Sequence, residues 1–140
     1  MLKRLVISNY ALIDNLEISL NGGLTIITGE TGAGKSIILG ALTLLLGERA
    51  DVRSVRNSDK KTVVEGVFDI SGYSIESFLS ENDVDSYNSD CILRRELLPN
   101  GRSRAFVNDT PVTVSVLSEL ASRLIDIHSQ HSNALLLNPV

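Results

Sequence analysis

Residues 29–36, Gly-Glu-Thr-Gly-Ala-Gly-Lys-Ser, are the part of this chain whose types and spacing most clearly do chemistry. They match G-x-x-x-x-G-K-[ST] in full. Gly29, Gly32 and Gly34 allow a tight backbone turn, so the N–H groups from Thr31 through Ala33 to Ser36 converge on one point, with Glu30 carried in the same turn. Convergent N–H donors at the start of a helix attract a phosphate anion. Lys35 then supplies a point charge between the β- and γ-phosphates, and Ser36 Oγ is a ligand for Mg²⁺. The chemistry expected here is the gripping of a nucleotide.

Hydrolysis needs a further carboxylate to order the metal and the attacking water, and the sequence offers two. Asp69 stands in Asp-Ile-Ser-Gly, the D-x-x-G of GTPase-like switches, but Glu65 and Gly66 interrupt the strand before it and no N-K-x-D follows. Asp126 follows only Leu124 and Ile125 as an apolar lead-in. Asp126, His128 and His131 also read as D-x-H-x-x-H, a donor set that suits Zn²⁺ or Mn²⁺, though histidines beside a turn are more often surface groups. Neither aspartate completes the site convincingly.

The elements that must position the loop follow from patterning. "LKRLVIS" (2–8) and "NLEISL" (15–20) read as two short strands, and "LTIIT" (24–28) as a central strand covered on both faces. Residues 35–46 are apolar nearly all round, which implies a buried helix, with Gly47 as its left-handed cap. "TVVEGVFDI" (62–70) alternates like a half-exposed strand, and "YSIESFLSEN" (73–82) reads as a short helix. Asn100-Gly101 signals a hairpin between "CILRRELL" and "RSRAFVN". Apolar residues at 114, 117, 120, 121 and 124 have helical spacing, and "LIDIHSQHSN" reads as a strand entering a polar turn.

With 140 residues and 43% hydrophobic content, the chain can form one compact core. It shows no secretory signal pattern and no apolar run near the ~20 residues of a membrane span. Its single cysteine, Cys91, fits a reducing cytoplasm and a packed strand position. The net charge of −4 argues against a nucleic-acid coat. Basic residues still cluster at Arg49, Arg53, Arg56, Lys60 and Lys61, and at Arg94, Arg95, Arg102 and Arg104. These are either a solvated surface or a sequence-independent grip on phosphate backbone.

A strand pair ahead of a phosphate loop near residue 30 resembles the ATP-binding heads of the ABC and SMC class, and the first fifty residues and "LIDIHSQHSNALLL" resemble its bacterial DNA-repair members. The resemblance implies an α/β P-loop NTPase fold, an SMC-type head lobe with an antiparallel β-subdomain spanning residues 1–140. It implies ATP and Mg²⁺ as ligands, with Gln130 joining Ser36 at the metal and sensing the γ-phosphate, and Arg53 facing DNA. Asn9 and Tyr10 would lie near the adenine. No signature motif, Asp-Glu strand end or coiled coil is present, so the resemblance implies that the catalytic partner groups come from a C-terminal lobe of the same protein. Heads of this class pair as homodimers around two ATP molecules. The complete protein would be a cytoplasmic, nucleoid-associated ATPase acting on DNA, and this chain alone would only bind nucleotide.

Overall fold

The computed structural model describes residues 2–11, 13–19, 32–49, 55, 57–71, 75–84, 89–128 and 134–136. A six-stranded antiparallel sheet runs in the order β2-β1-β3-β4-β5-β6. Its strands are β1 (Leu2–Tyr10), β2 (Ile13–Ser19), β3 (Thr62–Asp69), β4 (Asp90–Leu97), β5 (Ser103–Val107) and β6 (Thr110–Val112). Among the described residues three helices accompany it: α1 (Gly32–Leu45), α2 (Glu76–Glu81) and α3 (Val114–Leu124). A short pair, β7 (Asp126–His128) and β8 (Ala134–Leu136), forms a second antiparallel sheet. The expected central strand at 24–28 lies outside the described residues.

The alternation in the sequence becomes the two faces of the sheet. On β3, Thr62, Val64, Gly66 and Phe68 are buried, while Val63, Glu65, Val67 and Asp69 alternate with them on the outer face. Leu5 and Ile7, Leu93 and Val107 continue the inner face, and Leu42, Leu45, Leu117, Leu120 and Leu124 from α1 and α3 join them in one core. On the outer face Glu96 is buried beneath cations: Arg104 Nη2 at 2.7 Å, Arg94 Nε at 3.2 Å and Lys61 Nζ at 3.6 Å. The Arg94 guanidinium also lies 4.4 Å from the centroid of the Phe106 ring.

Local chemistry sets several of the element ends. Gly47 has φ +88° at the close of α1, as a left-handed cap requires. Gly101, at φ +87°, turns β4 into β5 with Gly101 N–H donating to Leu98 O at 2.9 Å. Thr113 caps α3, its Oγ1 accepting from Val116 N–H at 3.1 Å. Thr113→Ala is therefore expected to cost about 1 kcal/mol, read as a shift in the denaturant midpoint at unchanged slope.

Candidate nucleotide site

Helix α1 begins at Gly32, inside the glycine-rich run, so Gly32, Ala33, Gly34 and Lys35 form its first turn and Ser36 follows. The first four N–H groups of any helix lack intrahelical acceptors. No acidic residue stands in this turn to oppose an anion. N-terminal N–H donors, the positive end of the helix dipole, a lysine and a hydroxyl make a donor set that fits a phosphate with its Mg²⁺. Gly29, Glu30 and Thr31 lie outside the described residues, as do Arg53, Gln130 and His131.

The direction of α1 fixes which residues its N-terminus can meet. A Cβ at Gly40 would fall 2.5 Å from the Tyr10 hydroxyl, and one at Gly66 would fall 3.2 Å from Leu45 Cδ1. The helix thus advances from the Tyr10 end of the sheet toward the middle of β3. Asn9 O accepts from Thr62 Oγ1, so that end is also where β3 begins. Asp69 ends β3 seven residues later, about 23 Å away at ordinary strand rise and in the direction opposite to the first turn of α1. Its carboxylate accepts from Ser71 N–H at 3.0 Å and Ser71 Oγ at 2.7 Å, and these bonds hold its pKa below the usual value. Asp69 is thereby placed as a turn residue, and the GTPase-like reading loses its carboxylate.

Other candidates sort by the same geometry. Tyr10 is a core residue, and the Asn9 amide is spent on the 57–61 backbone, donating to Asn57 O at 2.8 Å and Lys60 O at 3.0 Å. Asp126 and His128 occupy β7, and among the described residues no three His, Cys, Asp or Glu side chains gather as for a metal. Cys91 is fully buried, and desolvation pushes its thiol up to about 12. A thiol reagent at pH 8 should accordingly label the native chain only as fast as it opens, and rapidly in denaturant.

The second arginine cluster is not a single exposed patch. Arg94 and Arg104 are neutralised by Glu65, Glu96 and Asp109 on the outer face, whereas Arg95 is buried on the inner one. Arg95 Nη1 donates to Leu44 O at 3.0 Å and to Glu48 O, while Nε donates to Ser103 Oγ at 3.0 Å. Ser118 Oγ donates to Leu46 O at 2.6 Å. The C-terminal carbonyls of α1 are thus held from β4 and α3. One signal for Arg95 was available: it stands on the apolar side of an alternating strand, between Leu93 and Leu97.

Residues 4–138 match the AAA domain family AAA_23. The chain belongs to that family. This AAA domain is 42% identical to the DNA repair protein RecN of Vibrio cholerae over 99% of its own length and 25% of the relative's. Against RecN of Bacillus subtilis the identity is 41% over 98% of the chain and 24% of the relative. The chain therefore spans about a quarter of the length of the curated relatives it matches. Among solved structures, the Smc head domain of Pyrococcus furiosus, crystallised with an extended coiled coil and bound to the C-terminal domain of ScpA, superposes with a TM-score of 0.67 at 20% identity. That match covers 87% of this chain and 32% of the other. The fold is an α/β lobe of the SMC and ABC head type.

Proposed function

We propose that this AAA domain is the ATP-binding lobe, residues 1–140, of a RecN-like ATPase that acts on DNA in double-strand break repair and recombination. The observation that carries the reading is the opening of α1 within the Gly29–Ser36 loop in a chain about 40% identical to RecN proteins over nearly its whole length. Backbone N–H groups from Thr31 to Ser36 hold the phosphate oxygens, Lys35 neutralises their charge, and Ser36 with Gln130 holds Mg²⁺. Bound Mg²⁺ would draw charge from the phosphates. The carboxylates that order water for hydrolysis belong to a C-terminal lobe, and two such heads close as a homodimer. Arg53 faces DNA, and the whole protein works in the cytoplasm at the nucleoid. No helix among the described residues is long and apolar enough to cross a membrane.

The test is Mg²⁺-dependent binding and hydrolysis of ATP by this chain, alone and with the remaining three quarters of a RecN-type protein supplied. Binding without turnover alone, and turnover on addition, is expected. Lys35→Ala should weaken MgATP by about thirtyfold, the ~2 kcal/mol of a charge-assisted hydrogen bond. Turnover by the chain alone would mean that its carboxylate is present after all.

A further inference from the structure

Arg95 poses a problem of economy. It is 6% exposed, yet its partners among the described residues are all neutral: two main-chain carbonyls and a serine hydroxyl. Desolvation lowers its pKa. A buried charge without a carboxylate is a poor way to stabilise a fold, because hydrocarbon of similar volume often does as well. What the guanidinium does supply is direction. Its planar fork ties one end of a helix to two strands at once, with its positive charge at the negative end of the helix dipole.

We propose that Arg95, assisted by Ser118, is a positioning residue for the nucleotide: it fixes α1 along its axis so that the phosphate turn at the other end stays in register. This deepens the nucleotide reading above and rests on it. α1 is a hydrogen-bonded rod of 14 residues, about 20 Å long, so a shift at its C-terminus is carried to its N-terminus. Three carbonyls at or just beyond its end, those of Leu44, Leu46 and Glu48, are held by Arg95 and Ser118. Gly47 lies so near α3 that a Cβ there would fall 2.7 Å from Ser118 Cβ, which leaves the helix end no room to slide that way. Phosphate hydrogen bonds at the far end tolerate only a few tenths of an ångström.

The experiment is a calorimetric titration of MgATP into the unchanged chain and into Arg95→Met, Arg95→Lys, Ser118→Ala, Lys35→Ala and Cys91→Ala. Each is held well below its own melting temperature, with folding checked by circular dichroism. Cys91 is buried opposite Phe68, at the end of the sheet away from the phosphate turn, and reports what general loss of stability does to binding. Arg95→Met should bind about tenfold more weakly, as expected for one lost charged hydrogen bond's worth of placement, with Arg95→Lys in between. Ser118→Ala should lose about threefold, and Cys91→Ala should bind as the unchanged chain does. Should Arg95→Met fail to fold, Arg95→Lys and Ser118→Ala decide the matter. Affinity within twofold of the unchanged chain in the folded Arg95 and Ser118 variants overturns the positioning role, and so does an equal loss in Cys91→Ala. No binding by the unchanged chain, or equal binding by Lys35→Ala, removes the phosphate site itself and the inference with it.

Discussion

Phe68→Ala is expected to lower the free energy of unfolding by about 4 kcal/mol, measured by urea denaturation followed through far-ultraviolet circular dichroism. The Phe68 ring has no exposed surface. It lies on the inner face of β3, opposite Cys91 of β4 and Leu2 of β1, where the sheet meets its helices. Its place depends on Gly66, two residues back on the same face. A Cβ there would come within 2.8 Å of Phe68 Cε1 and 3.2 Å of Leu45 Cδ1. The glycine that breaks the run of side chains along the strand is therefore the floor on which the ring and α1 lie. Gly66→Ala alone should also destabilise, and combining it with Phe68→Leu should cost less than the sum, because the smaller side chain vacates the contested space. A loss below about 2 kcal/mol in Phe68→Ala would mean that the core collapses readily around the missing ring.

Gly66 marks a boundary between what can be read from sequence and what cannot. The alternation of Val64, Gly66 and Phe68 against Val63, Glu65 and Val67 is a period-2 pattern, so the strand and its faces are legible. The reason for glycine is not, since Leu45 is twenty-one positions away in the chain. Spacing at 114, 117, 120, 121 and 124 likewise specifies α3, of which Leu117, Leu120, Ala121 and Leu124 are buried. Asn100-Gly101 marks the β4–β5 hairpin because glycine accepts a positive φ. The next hairpin carries no such signal because its loop holds no glycine: Asn108 and Asp109 take φ of +49° and +65° themselves, residue types that tolerate this region better than most. Strand β6 is three residues long, too short to show a period.

The site divides in the same way. The glycine-rich run is a local motif, and α1 opens where its glycines stand. Asp69 matches D-x-x-G, which is also a local signal, but its usefulness depends on which end of β3 faces α1. That is a property of topology, carried by the packing of Gly40 on Tyr10 and Leu45 on Gly66. The second basic run divides for a related reason. Arg94 and Arg95 are neighbours in sequence, yet strand geometry sends one to an ion-paired outer face and the other beneath a helix.

Asn9→Ala should be nearly as costly as loss of the Phe68 ring, at about 3–4 kcal/mol, and should loosen a different part of the molecule. Asn9 is buried at the end of β1 with φ +56°, a conformation that asparagine bears better than alanine. Its Oδ1 accepts from Asn57 N–H at 2.7 Å, and its Nδ2 donates to Asn57 O and Lys60 O. Its own carbonyl accepts from Thr62 Oγ1 at 2.7 Å. One side chain thus substitutes for a stretch of strand pairing, fastening residues 57–61 to the last turn of β1 beside the Tyr10–Val55 bridge. Alanine would leave buried amide and carbonyl groups without partners and would add backbone strain. Hydrogen exchange should accordingly accelerate at Asn57 and across the start of β3 well before it does at α3. Asn9→Gly separates the two costs: it removes the same hydrogen bonds but not the tolerance for positive φ, so it should recover about 1 kcal/mol relative to Asn9→Ala. If the two variants were equally unstable, the hydrogen bonds alone would carry the effect. If protection at Asn57 were unchanged in both, Asn9 would not be what holds that segment to β1.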